Sequence, residues 1–191
     1  MSSYPYSDRF PVNAALPETG RSREDVLAEM AKLAQEEDLA WESGRVSGTM
    51  YCGDHDHYSF MNDVFGLYAH VNILQRDICP SATRYEGEVL SMARNLFNAP
   101  AVTDGEPAGL LTTGGTGSIC HAVLAFREKA REDRGVTRPN FIKPETGHPA
   151  FDKACHLFGV EVRRAPVDPE TFRADVDWVR ANIDDQTIGM I

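Results

Sequence analysis

From Leu110 to Ile191 short apolar runs alternate with amphipathic stretches, and that alternation constrains the fold more than any other feature of the chain. Leu110 to Thr112, Phe141-Ile142, Val160-Glu161-Val162 and Ile188 to Ile191 read as strands. Residues 117–133, 149–157 and 175–183 read as the helices between them, and Gly159 suits the left-handed residue that closes the second. Strand–helix repetition of this kind specifies an α/β fold: a mainly parallel sheet with crossover helices. The pattern breaks off inside an apolar run at Ile191, so the chain reads as the N-terminal part of something longer.

The first hundred residues carry no such alternation. Residues 1–20 hold Tyr4-Pro5-Tyr6 and no periodicity, which reads as an arm lying on something else or as a disordered tail. Ser22-Arg23-Glu24-Asp25 resembles a capping box and opens a helix with Val26, Leu27, Met30, Leu33 and Ala34 on one face. An apolar face with no core yet built asks for a cover, and a partner chain would provide one. Residues 44–54 form a glycine-punctuated loop, and a second helix follows around Phe60, Met61, Val64, Leu67 and Tyr68. Pro80 suits the start of a third, with Val89, Met92, Ala93 and Leu96 as its inner face and Arg84 paired to Glu88. The division expected is a helical segment with active-site loops over 1–100 and the first part of an α/β domain over 101–191.

Composition narrows the class. With 191 residues, 42% hydrophobic and 25% charged, the chain is ordinary globular protein. It has no run of eighteen apolar residues to span a bilayer, and Met-Ser-Ser-Tyr-Pro-Tyr-Ser-Asp-Arg lacks the apolar core of a signal peptide. A net charge of −10 argues against nucleic acid or an anionic membrane as the main partner. Cys52, Cys79, Cys120 and Cys155 are widely spaced and form no C-x-x-C pair, which fits reduced thiols in a cytoplasmic protein.

Within the alternating part, Leu110-Leu111-Thr112-Thr113-Gly114-Gly115-Thr116-Gly117-Ser118 runs an apolar segment through glycines into a helix. Such a turn leaves backbone N–H groups at the positive end of a helix dipole, ready for an anion and most often a phosphate. A tight turn binding nothing is the alternative. Familiar phosphate and nucleophile motifs do not match. Gly115-Thr116-Gly117-Ser118-Ile119-Cys120 lacks the last small residue of the dinucleotide fingerprint, no Gly-Lys-Ser/Thr occurs, and no G-x-S-x-G elbow exists. Asp54-His55-Asp56-His57 alternates ligand types, but in a polar loop this reads as solvated surface and no metal is expected. His148 follows the Phe141-Ile142 strand at the carboxyl edge, where ligands gather in open α/β sheets. An imidazole there can stack on a flat aromatic cofactor whose phosphate occupies the glycine turn, or simply start a helix.

The ordered segments Ser47-Gly48-Thr49-Met50-Tyr51, Tyr68-Ala69-His70-Val71-Asn72, Pro80-Ser81, Glu86-Gly87-Glu88-Val89, Thr113-Gly114-Gly115-Thr116, Arg138-Pro139, His148-Pro149-Ala150-Phe151-Asp152-Lys153-Ala154 and Pro166-Val167-Asp168 carry a resemblance from about Ser47 to Ile191. The chain resembles the sphingosine-1-phosphate lyase family, pyridoxal-phosphate-dependent enzymes of fold type I within the group II decarboxylase-like set. The resemblance implies that Gly115 and Thr116 hold the cofactor phosphate and that His148 stacks on the pyridine ring. It puts Tyr51 and His148 in the catalytic centre, and Tyr51, Asn72 and Gln75 against the substrate, in a site shared across a homodimer. The reaction implied is cleavage of a phosphorylated sphingoid base to a long-chain aldehyde and phosphoethanolamine.

Two positions depart from the family. Asn72-Ile73-Leu74-Gln75 stands where Asn-Pro-Leu-His is usual, and glutamine can hydrogen-bond a phosphate but is neither cation nor base near neutrality. Gly117 replaces the acidic residue after Gly-Gly-Thr. The lysines are Lys32, Lys129, Lys143 and Lys153, and none follows a histidine as the family's cofactor lysine does. That lysine, and the aspartate that meets the pyridine nitrogen, are expected beyond Ile191, so the 191 residues alone should not catalyse. An amino-acid decarboxylase of the same group, and a non-catalytic remnant that binds a partner, remain as alternatives.

Overall fold

Most helix starts among the described residues are set by side chains that cap them. The structure, a computed structural model, describes residues 4–45, 53–99 and 108–191. It divides into two compact units, Met1–Val71 and Asn72–Ile191.

In the first unit, α1 (Arg23–Ala40) begins where Ser22 Oγ accepts the Asp25 N–H at 3.0 Å, with Glu24 and Asp25 in the positive first turn. It runs into a wide π-type turn over Trp41–Arg45, which Gly44 leaves at φ 74°. The N-terminal segment is an arm laid on α1: Tyr6 donates to Glu37 at 2.9 Å, and Arg9 clamps Glu36 through two bonds of 2.8 Å. α2 (His55–Tyr68) is capped by Asp54, whose Oδ1 accepts the N–H groups of Asp56 and His57. Neither helix contains a buried residue, and Leu27 is 66% exposed. The apolar face expected on α1 is therefore present in sequence but uncovered among the described residues.

The second unit holds α3 (Pro80–Leu96), α4 (Gly115–Arg134), β1 (Asn140–Pro144), α5 (Pro149–Leu157), β2 (Glu161–Ala165), α6 (Val176–Asn182) and β3 (Thr187–Met190). Pro80 takes the first turn of α3, and Arg84 meets Glu88 at 2.8 Å as expected. Its inner face is not the expected one. Val89, Met92 and Leu96 are exposed, while Glu86, Leu90 and Ala93 are half-buried. The cause is residues 108–112, which run along the Glu86–Leu90 side: a Cβ on Gly109 would stand 3.0 Å from Leu90 Cδ2, and Leu111 N–H donates to Glu86 at 3.4 Å. Those residues are also not the expected strand. No strand among the described residues pairs with them, and a strand exists only through its ladder.

The remaining alternation is found as read. The three strands form one parallel sheet in the order β2-β1-β3, with Phe141 opposite Val162 and Lys143 opposite Arg164. Successive residues of β1 face opposite layers. Phe141 faces α4 and α5 in a core with Val123, Ala130, Ala154, Cys155, Val160 and Ile188, the larger of these (Phe141, Val123, Val160, Ile188) contributing about 1.5–3 kcal/mol each on burial. On the other layer Arg163 of β2 reaches back to the Asn182 carbonyl at the end of α6. Gly159 closes α5 at φ 65°, the left-handed conformation expected of it.

Candidate functional site

The glycine turn and His148 reach the carboxyl edge of the sheet for local reasons. α4 ends at the amino edge, where Arg134 donates to the carbonyls of Asp185 and Thr187 at 3.2 and 3.0 Å. Its first turn therefore points to the carboxyl edge. The first bond of the helix runs from Ser118 N–H to the Gly114 carbonyl at 3.0 Å. The N–H groups of Gly115, Thr116 and Gly117 precede that ladder and project from the helix end. Gly114 enters at φ 144° and ψ 173°, a backbone region open in practice to glycine alone. Thr112 shapes the turn: its hydroxyl donates to the Gly114 carbonyl at 2.9 Å and, 2.7 Å from Ser118 Oγ, accepts from it. The result is an amide cradle for an anion, backed by a 20-residue helix.

His148 is the N-cap of α5. Its Nδ1 accepts the Ala150 N–H at 3.0 Å, which leaves the proton of the neutral ring on Nε2. The side chain is exposed. α5 follows β1 and packs alongside α4, so both helices start from the same edge, and the glycine turn and His148 share it.

Beside His148 lies a charge cluster that sequence reasoning missed. The β1–β2 register sends Lys143 and Arg164 to the same face, and both reach Asp152 of α5, at 2.5 and 2.6 Å. Lys143 is 2% exposed and also donates to the Gly147 carbonyl at 2.7 Å. The Lys143 ammonium, joined by Arg164, holds the Asp152 carboxyl below its ordinary range against the opposite pull of burial. Its sequence signal was a lysine at an inward position of a strand, two residues after Phe141.

The loop after the first unit brings Asn72 and Gln75 into order. Asn72 Oδ1 accepts the Leu74 N–H at 3.1 Å, and the Asn72 carbonyl accepts the Gln75 N–H at 2.9 Å. The side-chain oxygen of Asn72 is thus used by the turn, and both residues are exposed. Arg76 ties the loop to Glu86 at 3.0 Å, and the other oxygen of Glu86 accepts from Leu111. Glu86 therefore links this loop to the segment entering the glycine turn, a role that its place in a motif did not announce. Tyr51 lies outside the described residues.

Other candidates are structural. Asp54 caps α2, and His55 Nε2 lies 2.5 Å from Glu42, whose carboxylate raises the imidazole above its usual range. Asp168 accepts from Glu170 and Thr171 and closes a turn after β2. Lys129 pairs with Asp133 at 2.6 Å, and Lys32 lies 5.7 Å from the Phe10 ring centroid. Lys153 is exposed on α5. A cavity of about 520 Å³ beside Arg127, Arg131 and Phe158 opens near the end of α5, away from His148, and its guanidinium groups are already engaged by Glu128 and the Phe158 carbonyl.

Comparison with known proteins bears on this geometry. Residues 5–189 match the pyridoxal-dependent decarboxylase conserved domain. The chain is 38% identical over 176 residues to a sphingosine-1-phosphate lyase of Drosophila melanogaster, covering 92% of this chain and 32% of that protein. It is 35% identical over 136 residues to a probable L-tyrosine/L-aspartate decarboxylase of Methanosarcina acetivorans, covering 65% of this chain and 34% of the relative. The solved sphingosine-1-phosphate lyase of Burkholderia pseudomallei K96243 superposes with a TM-score of 0.88 at 49% identity, over 98% of this chain and 44% of that one. A glutamate decarboxylase of Lactobacillus brevis, at 17% identity and a TM-score of 0.63, shares the fold. The chain spans about a third of the length of the curated relatives it matches.

The residues present fit the cofactor that the family name implies. A phosphate suits the amides at Gly114 and Gly115, where no described atom stands within 4 Å of an added Cβ. A flat ring suits an exposed imidazole fixed in one tautomer at the same edge. On sequence, fold and the fit of its carboxyl edge alike, the chain belongs to the family of the pyridoxal-dependent decarboxylase conserved domain.

Proposed function

We propose that this chain supplies the phosphate seat and the ring-facing histidine of a pyridoxal-phosphate-dependent carbon–carbon lyase that cleaves phosphorylated sphingoid bases to a long-chain aldehyde and phosphoethanolamine. The observation that carries this reading is the run of relatives named sphingosine-1-phosphate lyase, together with a solved lyase at 49% identity. Pyridoxal phosphate, when bound, supplies an electron sink for the pair released as the C2–C3 bond breaks. The chain's own part is to bind and orient. Gly115 and Thr116 hold the cofactor phosphate through backbone N–H groups. His148 lies against the pyridine ring.

Asn72 offers its free amide N–H groups and Gln75 its carboxamide to the substrate, with Tyr51 as the third substrate-facing side chain. Gln75 hydrogen-bonds a phosphate without adding charge, so the cationic help comes from elsewhere in the protein. The active unit is a homodimer in the cytoplasm. Support for the dimer comes from the uncovered apolar residues of α1 and α2. Among the described residues no helix is long and apolar enough to cross a membrane.

The decarboxylase reading is favoured by one observation, the Methanosarcina relative, and the same experiment decides between them. Full-length protein loaded with pyridoxal phosphate is incubated with a phosphorylated sphingoid base and, separately, with amino acids. Long-chain aldehyde and phosphoethanolamine are expected from the first and no carbon dioxide from the second. Carbon dioxide without aldehyde would transfer the chain to the decarboxylases.

A further inference from the structure

Lys143 is a buried charge that the proposed chemistry leaves unused, and it pairs with half-buried Asp152, which exposed Arg164 also meets. Lys143 projects from β1 under the turn over residues 144–147. That turn is closed by Gly147 N–H on the Pro144 carbonyl at 2.9 Å, and Glu145 N–H bonds the Ala165 carbonyl of β2 at 3.0 Å. A Cβ on Gly147 would stand 3.0 Å from the Pro144 oxygen and 3.5 Å from Lys143 Cδ, so the turn rests directly on the lysine stem. The ammonium then holds two points on either side of His148: the Gly147 carbonyl just before it, and Asp152 one turn into α5 after it. Arg164 takes the second oxygen of Asp152 at 2.6 Å and keeps that carboxylate from turning away.

We propose that Lys143 is a positioning residue: by clamping Gly147 and Asp152 it fixes the backbone from which His148 caps α5, and so fixes the imidazole in the orientation and tautomer that face the cofactor ring. This rests on the reading that His148 stacks on pyridoxal phosphate. The donors of this buried lysine are spent on a carboxylate and a carbonyl and are not offered to an aldehyde. A lysine is well suited here, because a flexible stem carrying several donors can serve two acceptors that lie in different elements.

The test uses full-length protein and the variants Lys143→Met, Asp152→Asn and His148→Ala. The ring nitrogens of His148 are followed by 15N NMR in the cofactor-free protein, and the dissociation constant for pyridoxal phosphate is read from its visible absorption. Wild type is expected to keep the proton on Nε2, and Lys143→Met to give averaged tautomer signals. Lys143→Met is expected to weaken cofactor binding about tenfold, the order at which loss of an orienting partner is felt, but by less than about twofold when His148 is already alanine. Should Lys143→Met fail to fold, Asp152→Asn carries the same readouts in the same direction. An unchanged His148 tautomer in the variants overturns the proposal. So does an equal loss of affinity with and without His148. If the tautomer shifts while His148→Ala leaves affinity untouched, the positioning stands and the stacking reading falls.

Discussion

Asn140 is fully buried at the start of β1, and its side chain is the point where three strands are tied. Its Nδ2 donates to Asp184 at 2.8 Å, and its Oδ1 accepts from the Thr187 hydroxyl at 2.8 Å. Asp184 also receives the Gln186 N–H at 2.9 Å and the Arg163 guanidinium at 2.8 Å. The Asn140 bond, followed by Arg163, pulls the Asp184 carboxyl down to about 2. A carboxyl depressed on folding contributes stability that is full above its unfolded value, about 4, and is lost as pH falls toward its folded value. Asp184→Asn is therefore expected to flatten the loss of stability between about pH 4 and pH 2, measured by denaturant midpoints; an acid slope equal to wild type would remove Asp184 from that role. None of this was legible in sequence. A buried asparagine reads like a surface one, and its partners lie 44 and 47 residues away. Lys143 was obscured for the same reason: its meaning lies in Asp152 and Gly147 and in the register of a neighbouring strand.

At the scale of the element, α4 carries the clearest local logic. Glycine at φ 144° opens it, Thr112 and Ser118 fix the turn, and Gly135 at φ 66° closes it. Gly114→Ala forces a side chain into a region that costs about 1–3 kcal/mol, so the first turn must shift. Weaker binding of pyridoxal phosphate by about tenfold is expected, read by equilibrium titration of the visible band; an unchanged constant would take the phosphate out of this cradle. The helices and strands after Gly114 were legible because apolar period and glycine placement agree there. Residues 110–112 form no strand because none among the described residues pairs with them, and the inner face of α3 differs because Glu86 and Leu90, not the more apolar side, meet residues 108–112. Propensity sees the residue; the neighbour decides the state.

For the whole molecule, the family and cofactor were legible because many short motifs stand in order, which no single glycine turn provides. Among the described residues the core cluster gathers on the sheet, α4, α5 and the loops joining them, whereas α1, α2 and α3 bury no residue. Helices of that kind gain stability chiefly from a surface laid on them. Full-length protein is accordingly expected to sediment as a dimer at micromolar concentration, and Leu27→Asp with Phe65→Asp to shift it toward monomer while β1 keeps its slow amide exchange. A monomeric wild type would sink the homodimer.

Cys155 sits in the middle of that core with no exposed surface, and burial pushes its thiol up to about 11. It is thereby a clock. An alkylating reagent cannot reach it in the closed protein, and burial disfavours the thiolate the reagent needs. Its rate of labelling then counts openings of the very layer that presents His148.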